Sequence, residues 1–397
     1  MQKTLLASLT ILILLASCST SVTPDATMSQ VTTSAPANAS QPTVVMSQTI
    51  TPTPSSIHLP VDVAQQAITF SPKISSSMTI ENQYIARIML DGTYLYWTVY
   101  DQIDTIFRTP LNGDTIEKFV TSKFEGGNIE VMPWVLAGDW FIYLDHDNSG
   151  IEANWGLRAK NLQDNSEKIM LSGRGIYAAA FNLFISVSGE WIAWSRLLPN
   201  ELGTCDESVL GLSNLNTNEQ IELDRVCIEQ AMWTLVSLSN HILIAEQDLP
   251  DAKGGGNNLY LFDIAKKQDT PMLIAANASM PDISSPWIVW KNAPRFDWGL
   301  SNSVYNVNDK TQRNFTVPGE NPTDPQLTEH WLYWLIEEGS GVDGIYLYDL
   351  EKEQAWKIPP PDEGAFSDIA IYGQWIAWSI SSDYAGGDSI LEWGELP

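Results

Sequence analysis

The amino-acid sequence predicts an all-β fold, a β-propeller of about seven four-stranded blades. A short aromatic-rich segment recurs seven times in the 397 residues, with successive starts 46, 51, 50, 46, 44 and 44 residues apart, which is the period of a four-stranded blade. Trp, Tyr, Ile and Val dominate these anchor segments and favour strands over the helices of an α-helical repeat. The anchor segments are Tyr94–Trp97, Trp140–Tyr143, Trp191–Trp194, His241–Ile244, Trp287–Trp290, Trp331–Trp334 and Trp375–Trp378.

Each anchor segment is predicted to be the second strand of its blade. A loop and a third strand follow it, as in Gly344–Leu350, and then a short polar turn and an outer strand, as in Ala355–Ile358. The strand before the next anchor, such as Phe366–Ile371, completes the set of four. Because Trp375–Trp378 is apolar at every position, both of its faces are expected to be covered by neighbouring blades.

The two ends of the chain are expected to close the ring together. The last repeat lacks an outer strand, and an unpaired strand-like run, Ala67–Phe70, precedes the first repeat. We expect this run to supply the missing strand, because closure removes an exposed sheet edge. Six or eight blades stay open as alternatives, because the fourth anchor, His241–Ile244, is degenerate.

The repeats resemble a known family. Gly344–Ile358, together with the anchors Trp331–Trp334 and Trp375–Trp378, is similar to the repeat of TolB-type propellers, which are WD40-like and occur on bacterial and archaeal surfaces. The resemblance spans about residues 61–397 and implies the fold. The sequence departs from TolB itself, because the Ser-Pro-Asp-Gly turn of many such repeats does not occur in it and the separate amino-terminal domain of TolB is not expected. The partners of TolB are therefore not expected for this protein.

The amino terminus is typical of an exported lipoprotein. After Lys3, the 11-residue run Leu5–Leu15 is predominantly apolar, which suits a signal peptide and is too short for a membrane span. Leu15-Ala16-Ser17-Cys18 resembles the lipobox of bacterial lipoproteins. That resemblance implies a signal peptide over 1–17, cleavage before Cys18, and lipid on its thiol that attaches the protein to a membrane. An ordinary signal peptide with a chance cysteine is the alternative.

Residues 18–60 are expected to be a tether between the lipid and a propeller that spans 61–397. The segment is rich in Ser, Thr, Pro and Ala and has no aromatic residue, so it lacks the apolar surface that a folded core requires. The full chain has a formal net charge of −27. Nucleic acid is therefore not an expected partner, because phosphate binding requires clustered Lys and Arg. We expect the folded part to lie outside the cytoplasm.

Cys205 and Cys227 are expected to form a disulfide. With Cys18 lipidated, they are the two remaining cysteines in an oxidising compartment. Two unpaired thiols remain the alternative, because sequence does not show pairing geometry.

One loop resembles the start of a calcium site. Asp145, Asp147 and Ser149 alternate before Gly150, a pattern that converges oxygen ligands on a cation. The twelfth position is Gly156, where a calcium loop carries a bidentate Glu. A solvated hairpin loop with the same residue types is the alternative interpretation.

The sequence favours binding over catalysis. It contains no zinc-binding pair of histidines and no Gly-x-Ser-x-Gly nucleophile motif. We therefore expect a binding or scaffold module for an extracellular protein, peptide or glycan, and keep as the alternative an enzyme of glycosidase or lyase type with acids at the propeller mouth.

Binding is expected on the face that carries the long loops after the anchors. Recognition commonly uses long loops on a rigid frame, and aromatic rings beside carboxylates suit sugars or basic peptides. The alternative is that these rings pack down onto the blades. The candidate ligand-binding residues are Trp155, Phe296, Trp298 and Tyr384.

Overall fold

The structure is a computed structural model that describes most of the predicted propeller. It describes residues 60–113, 115–147, 153–174, 183–198, 205–250, 255–266, 271–294, 301–316, 323–336, 344–381 and 387–397. The predicted signal peptide, Cys18 and nearly all of the tether lie outside these ranges. Within them, no helix has the length and apolar character needed to cross a lipid bilayer.

Seven four-stranded sheets form the blades of a ring, which confirms the predicted fold class. In each blade the first strand is innermost and the fourth is outermost. Blade 1 contains β4 Ile85–Leu90, β5 Tyr94–Val99, β6 Thr105–Pro110 and β7 Glu117–Thr121; blade 2 contains β8 Asn128–Ala137, β9 Trp140–His146, β10 Asn154–Asn161 and β11 Glu167–Arg174; blade 3 contains β12 Phe184–Ser188, β13 Trp191–Leu198, β14 Glu207–Asn214 and β15 Gln220–Cys227. Blade 4 contains β16 Met232–Ser239, β17 Ile242–Asp248, β18 Asn257–Asp263 and β19 Met272–Ala276; blade 5 contains β20 Ser279–Ser284, β21 Trp287–Lys291, β22 Ser301–Asn306 and β23 Gln312–Thr316. Blade 6 contains β24 Gln326–Thr328, β25 Trp331–Ile336, β26 Gly344–Asp349 and β27 Gln354–Ile358; blade 7 contains β28 Ala365–Tyr372, β29 Trp375–Ser381, β30 Ser389–Glu395 and the amino-terminal β3 Ile74–Ile80.

The anchor segments are the second strands, as predicted. Every residue of β25 is buried, because the neighbouring blades cover both faces of the sheet. The packing runs from blade to blade: Trp233 and Leu243 of blade 4 lie in one apolar cluster with Leu212 of blade 3. The fourth anchor, degenerate in sequence, is the second strand of blade 4 and leaves the count at seven.

The turns between third and fourth strands share a local cause. Asn161, Asn214, Asn306 and Asp349 each end a third strand, and each side-chain oxygen accepts hydrogen bonds from the backbone N–H groups two and three residues later. Such Asx turns favour tight reversal of the chain. These turns, with those between first and second strands, define the short-turn face; the opposite end of the blades is the long-loop face.

An amino-terminal strand completes the last blade, as predicted, but its residues differ from the predicted run Ala67–Phe70. Ile74–Ile80 pairs antiparallel with the third strand of blade 7 over its whole length, whereas the predicted closing run Ala67–Phe70 does not join that blade. Instead Ile68–Thr69 (β2) adds a fifth, parallel strand to blade 6. The prediction was wrong because it chose the more apolar run, while an outermost strand needs only one apolar face: β3 alternates exposed and half-buried residues.

The amino-terminal residues 61–80, here called the perimeter segment, follow the outside of three consecutive blades. Val61–Asp62 (β1) pairs parallel with the outer strand of blade 5. A short helix, Val63–Gln66 (α1), comes next, and the Asp62 side chain accepts the N–H of Gln65 at 3.1 Å and so caps it. The Val63 side chain is fully buried against Phe315 and Ala355. The perimeter segment thus covers the edges of blades 5 and 6 and forms the outer strand of blade 7.

Candidate functional site

Two tyrosines form an aromatic pair on the long-loop face. Tyr100 follows the second strand of blade 1, Tyr84 precedes the first, and the N–H of Tyr100 donates to the carbonyl of Tyr84 at 2.9 Å. Their ring centroids are 6.2 Å apart, edge to face. Tyr100 is 65% exposed, the highest value among the large apolar and aromatic residues that are exposed in the described part of the chain. The pair therefore offers a ring surface to a ligand.

A cleft of about 350 Å³ lies on the same face, lined by residues that follow Tyr100 in the chain. Tyr100 begins a 3₁₀ turn over Tyr100–Gln102, and Gln102 and Asp104 form one wall of the cleft, while Phe124 and Gly127 belong to the other. Gly127 lies against the backbone of His146, where a Cβ would be 2.5 Å from the carbonyl oxygen. A glycine at this position therefore lets the two backbone segments pack closely. The cleft combines amide, carboxylate and aromatic groups, which suits a polar ligand with some apolar surface.

The predicted aromatic ligand-binding residues are only partly described. Trp155 is in the third strand of blade 2 and is 6% exposed. Its ring lies over Gly173, where a Cβ would come within 2.7 Å of it, and it packs in the core with Leu157 and Leu171. The expectation of an exposed ring is therefore wrong for Trp155, because this residue is already inside the blade. Phe296, Trp298 and Tyr384 lie outside the described residues.

The predicted calcium ligands that the structure describes, Asp145 and Asp147, are both hydrogen-bonded to the protein. Asp145 is fully buried and accepts from Ser122 Oγ at 2.6 Å, the Lys123 N–H at 3.1 Å and Arg158 Nε at 2.9 Å. Asp147 accepts from Asn154 Nδ2 at 2.6 Å, and Ser149 lies outside the described residues. Three protein donors, one of them an arginine, already occupy most of the acceptor sites of Asp145, and calcium at this loop stays a prediction.

Cys205 and Cys227 are joined by a disulfide in the structure, with Cα atoms 5.9 Å apart. That spacing is within the range that a disulfide spans. The bridge links the entry to the third strand of blade 3 with the end of its outer strand. It therefore fastens the edge of this blade at the long-loop face.

Polar side chains of the inner strands link consecutive blades around the channel. Ser186 Oγ accepts the N–H of Leu238 at 2.9 Å, and Ser237 Oγ accepts that of Ile283 at 3.1 Å. These bonds join blade 3 to blade 4 and blade 4 to blade 5.

Carboxyl groups make the same link in two other blades. Asp282 Oδ2 accepts the N–H of Leu327 at 2.8 Å, and Asp368 Oδ2 accepts that of Ile88 at 2.8 Å. Burial raises the pKa of both Asp282 and Asp368, and the hydrogen bonds only partly offset this. The second of these bonds joins blade 7 to blade 1 and so spans the closure of the ring.

A central cavity of about 350 Å³ lies along the inner strands. Leu90, Thr328 and Tyr372 line it and end their strands at the short-turn face, so the cavity lies toward that end of the channel. Its polar wall is formed mainly by blades 5 to 7 and 1, while Val135 and Leu136 of blade 2 are apolar. Sequence reasoning missed this site, because its acids are isolated polar residues within otherwise apolar strands.

Comparisons with known proteins support the fold. No family model and no curated protein matches the chain. An oligogalacturonate lyase from Vibrio parahaemolyticus is 10% identical, with a TM-score of 0.52, and the match covers 83% of this chain and 96% of the lyase. The β-propeller domain of the Trilobed protease from Pyrococcus furiosus is 9% identical, with a TM-score of 0.52, covering 82% and 94%.

A third solved structure is longer than the present chain. It is a prolyl endopeptidase, 14% identical with a TM-score of 0.50, and the match covers 68% of this chain and 41% of the peptidase. The chain thus spans about two fifths of that enzyme. At these identities the comparisons show a shared propeller fold, and function has to be argued from the side chains.

Proposed function

We propose that this protein is a lipid-anchored binding or scaffold module that presents its long-loop face to an extracellular protein, peptide or glycan. The lipobox-like sequence ending at Cys18 and the long polar segment after it support attachment to a membrane through lipid. TolB-like repeats support a surface location in the same way. Replacement Cys18→Ala is expected to release the protein or to leave an unprocessed precursor, and normal processing with detergent partitioning would contradict the anchor.

The observation that carries the binding proposal is the exposed Tyr84–Tyr100 pair on the long-loop face, the face that also carries the cleft. A 65% exposed tyrosine, fixed by its neighbour and by a backbone hydrogen bond, loses little conformational entropy when a ligand covers it. Sugars and peptides both use such rings as platforms. The polar groups of the cleft then orient the ligand through Gln102 and Asp104.

Binding is preferred over catalysis because of how the carboxylates are used. Asp145 is held by an arginine and two further donors. Asp282 and Asp368 each accept a backbone N–H from the next blade. A general acid or base among them would have to give up bonds that hold the propeller together, whereas ligand binding leaves those bonds in place.

The test compares two exposed tyrosines on opposite faces. The full chain is screened against arrays of glycans and extracellular proteins, and any ligand is measured with Tyr100→Ala, Tyr84→Ala and the control Tyr372→Ala. Tyr372 is 47% exposed and ends its strand at the short-turn face. Loss of a ring at the centre of an interface is expected to weaken binding by about tenfold or more.

Binding that survives both long-loop variants but is lost in Tyr372→Ala would place the ligand on the other face. That result would overturn the proposal for the long-loop face. Hydrolysis or elimination of an array glycan, abolished by Asp282→Asn, would favour the enzyme alternative instead.

A further inference from the structure

The central cavity contains a tyrosine from a second strand. The other described residues that line it belong to first strands, and Tyr333 is the exception. It reaches the channel because the first strand of blade 6 is only three residues long, Gln326–Thr328, and leaves its neighbour incompletely covered. Tyr333 is 6% exposed, and its hydroxyl makes no hydrogen bond to the described residues. The hydroxyl is not among the described buried polar atoms that lack a partner, so it is open to the cavity that Tyr333 lines, where a ligand or water can complete its hydrogen bonding.

Two carboxyl groups stand near this hydroxyl. Burial and the negative charges of Asp282 and Asp368 together raise the pKa of Tyr333. Asp282 comes from blade 5 and Asp368 from blade 7, on either side of the blade that carries the tyrosine. An ionised carboxylate offers about four lone-pair sites. The bonds to Leu327, Ser237 and Ile283 occupy three on Asp282, so one acceptor site remains there.

The charges of the cavity are not balanced. Among the described lining residues, Asp282 and Asp368 are the acids and Arg87 is the cation. Arg87 lowers the pKa of Asp368, but burial outweighs it, and Asp282 is affected by burial and by neutral donors. With both acids ionised the cavity carries one negative charge in excess. Without a ligand, a proton bound to one of the two carboxyl groups removes the excess negative charge, in agreement with the raised pKa of each acid.

We propose that the central cavity is a binding site for one primary ammonium group, held by Asp282, Asp368 and the hydroxyl of Tyr333. An ammonium brings three N–H donors and no acceptor, and its single charge balances the excess. On binding it replaces the proton of a carboxyl group, and that proton passes to solvent. The site is separate from the long-loop face, so it does not depend on the function proposed for that face.

Other ligands fit the same walls less well. An anion would meet two carboxyl groups. In the described part of the chain, no three His, Cys, Asp or Glu side chains are placed to hold a metal ion. A neutral sugar would fill the cavity without balancing the charge. A lysine side chain or a peptide amino terminus entering from the short-turn face, or a small free amine, provides the required group.

The experiment uses the full chain in detergent and n-butylammonium as the probe. Tetramethylammonium has the same charge without N–H donors, acetate has the opposite charge, and calcium tests a metal. Titration calorimetry in two buffers of different ionisation enthalpy measures proton release. Two short peptides, with a free or an acetylated lysine, distinguish a lysine side chain from a small amine as the source.

The expected result is binding of n-butylammonium that strengthens from pH 4 to pH 7, with release of a proton. Replacement Asp282→Asn is expected to weaken it by about tenfold or more, and Tyr333→Phe by about three- to tenfold. The control is Asp309→Asn in the outer turn of blade 5, where Asp309 bonds only nearby Thr311. That variant is expected to bind as the wild type does.

Three results would overturn the proposal. They are equal binding of tetramethylammonium and n-butylammonium, unchanged binding in Asp282→Asn, and no binding of any amine at millimolar concentration. Tighter binding of calcium than of every amine would show a metal site instead. Because Tyr333→Phe and Asp282→Asn change different elements, failure of one to fold leaves the other as the test.

Discussion

The outer strands of blades 5 and 6 each pair with a strand of the perimeter segment, and the segment itself supplies the outer strand of blade 7, whereas the outer strands of blades 1 to 4 pair with no further strand in the described part of the chain. In blade 3 a disulfide fastens the outer strand. Unpaired edges are sites of aggregation, and the perimeter segment covers those of blades 5 and 6. The edges of blades 5 to 7 depend on residues at the start of the folded chain.

The same two parts of the ring differ at the channel. Blades 3 and 4 use the serines Ser186 and Ser237 to accept the N–H of the next blade, and blades 5 and 7 use the acids Asp282 and Asp368. A serine makes this bond without a titratable group. The acceptors of blades 5 and 7 are therefore titratable, whereas the serine acceptors of blades 3 and 4 are not, although Ser237 also donates to Asp282.

Deletion of residues 61–80 is expected to have the largest effect. It removes β3, the outer strand of blade 7, and uncovers the edges of blades 5 and 6. We expect aggregation or loss of cooperative unfolding, measured by size-exclusion chromatography and thermal unfolding. Deletion of residues 21–55 is the control and is expected to leave both unchanged. Equal stability of the two deletions would show that the perimeter segment does not close the ring.

Replacement of Cys205 or Cys227 by Ser is expected to cost about 3 kcal/mol of unfolding free energy, because the bridge closes a 22-residue separation. Urea unfolding with and without reductant measures it, since reductant should lower the wild type to the level of the variants. Thiol labelling of the native protein supplies the second readout. Full labelling of both cysteines without reductant would refute the bridge.

Val63→Ala tests how much the buried side chain of the perimeter segment contributes to the free energy of unfolding. Val63 is fully buried, and truncation of such a side chain costs about 1 to 2 kcal/mol. The matched control is Ile68→Ala in the same segment, because Ile68 is 57% exposed and its loss is expected to cost less than about 0.5 kcal/mol. Both are measured by urea unfolding. Equal losses would mean that the segment is held by its strand pairing alone.

The sequence predicted the repeat better than the contacts around it. All seven anchor segments belong to second strands. A strand that is apolar on both faces is stable inside a blade, where the neighbouring blades cover both faces of the sheet. The closing strand was missed because its Ser75-Ser76-Ser77 run is polar. A strand on the rim is selected by length and register rather than by apolarity.

The sites were harder to predict for a related reason. Trp155 looked like a loop residue because periodicity does not show where a strand begins, and it lies inside the blade. Tyr84 and Tyr100 lie at the two open ends of the hairpin formed by the first two strands of blade 1, and they meet only when that hairpin forms. Tyr333 looked like any other anchor residue, and it lines the cavity only because blade 6 has a short first strand.

The smallest expected effect is a pH dependence that separates the acids of blades 5 and 7 from the serines of blades 3 and 4. Burial raises the pKa of Asp282 and of Asp368 in the folded protein. The folded state then keeps protons that the unfolded chain loses near about pH 4. This contribution to stability is complete below that pH and is lost as the pH rises through the raised pKa.

Asp282→Asn removes this loss, so its unfolding free energy should fall less, or rise more, than that of the wild type between pH 4 and pH 7. Asp309→Asn provides a control of opposite sign. Hydrogen bonds from Thr311 lower the pKa of Asp309, so that acid stabilises the fold above the pKa of the unfolded chain and its removal should lower the slope. Urea unfolding at several pH values measures both slopes. Parallel slopes for Asp282→Asn and the wild type would mean that the Asp282 carboxyl is already ionised in the folded ring, and that its bond to Leu327 contributes to stability in the same way as the bond that Ser237 makes one blade earlier.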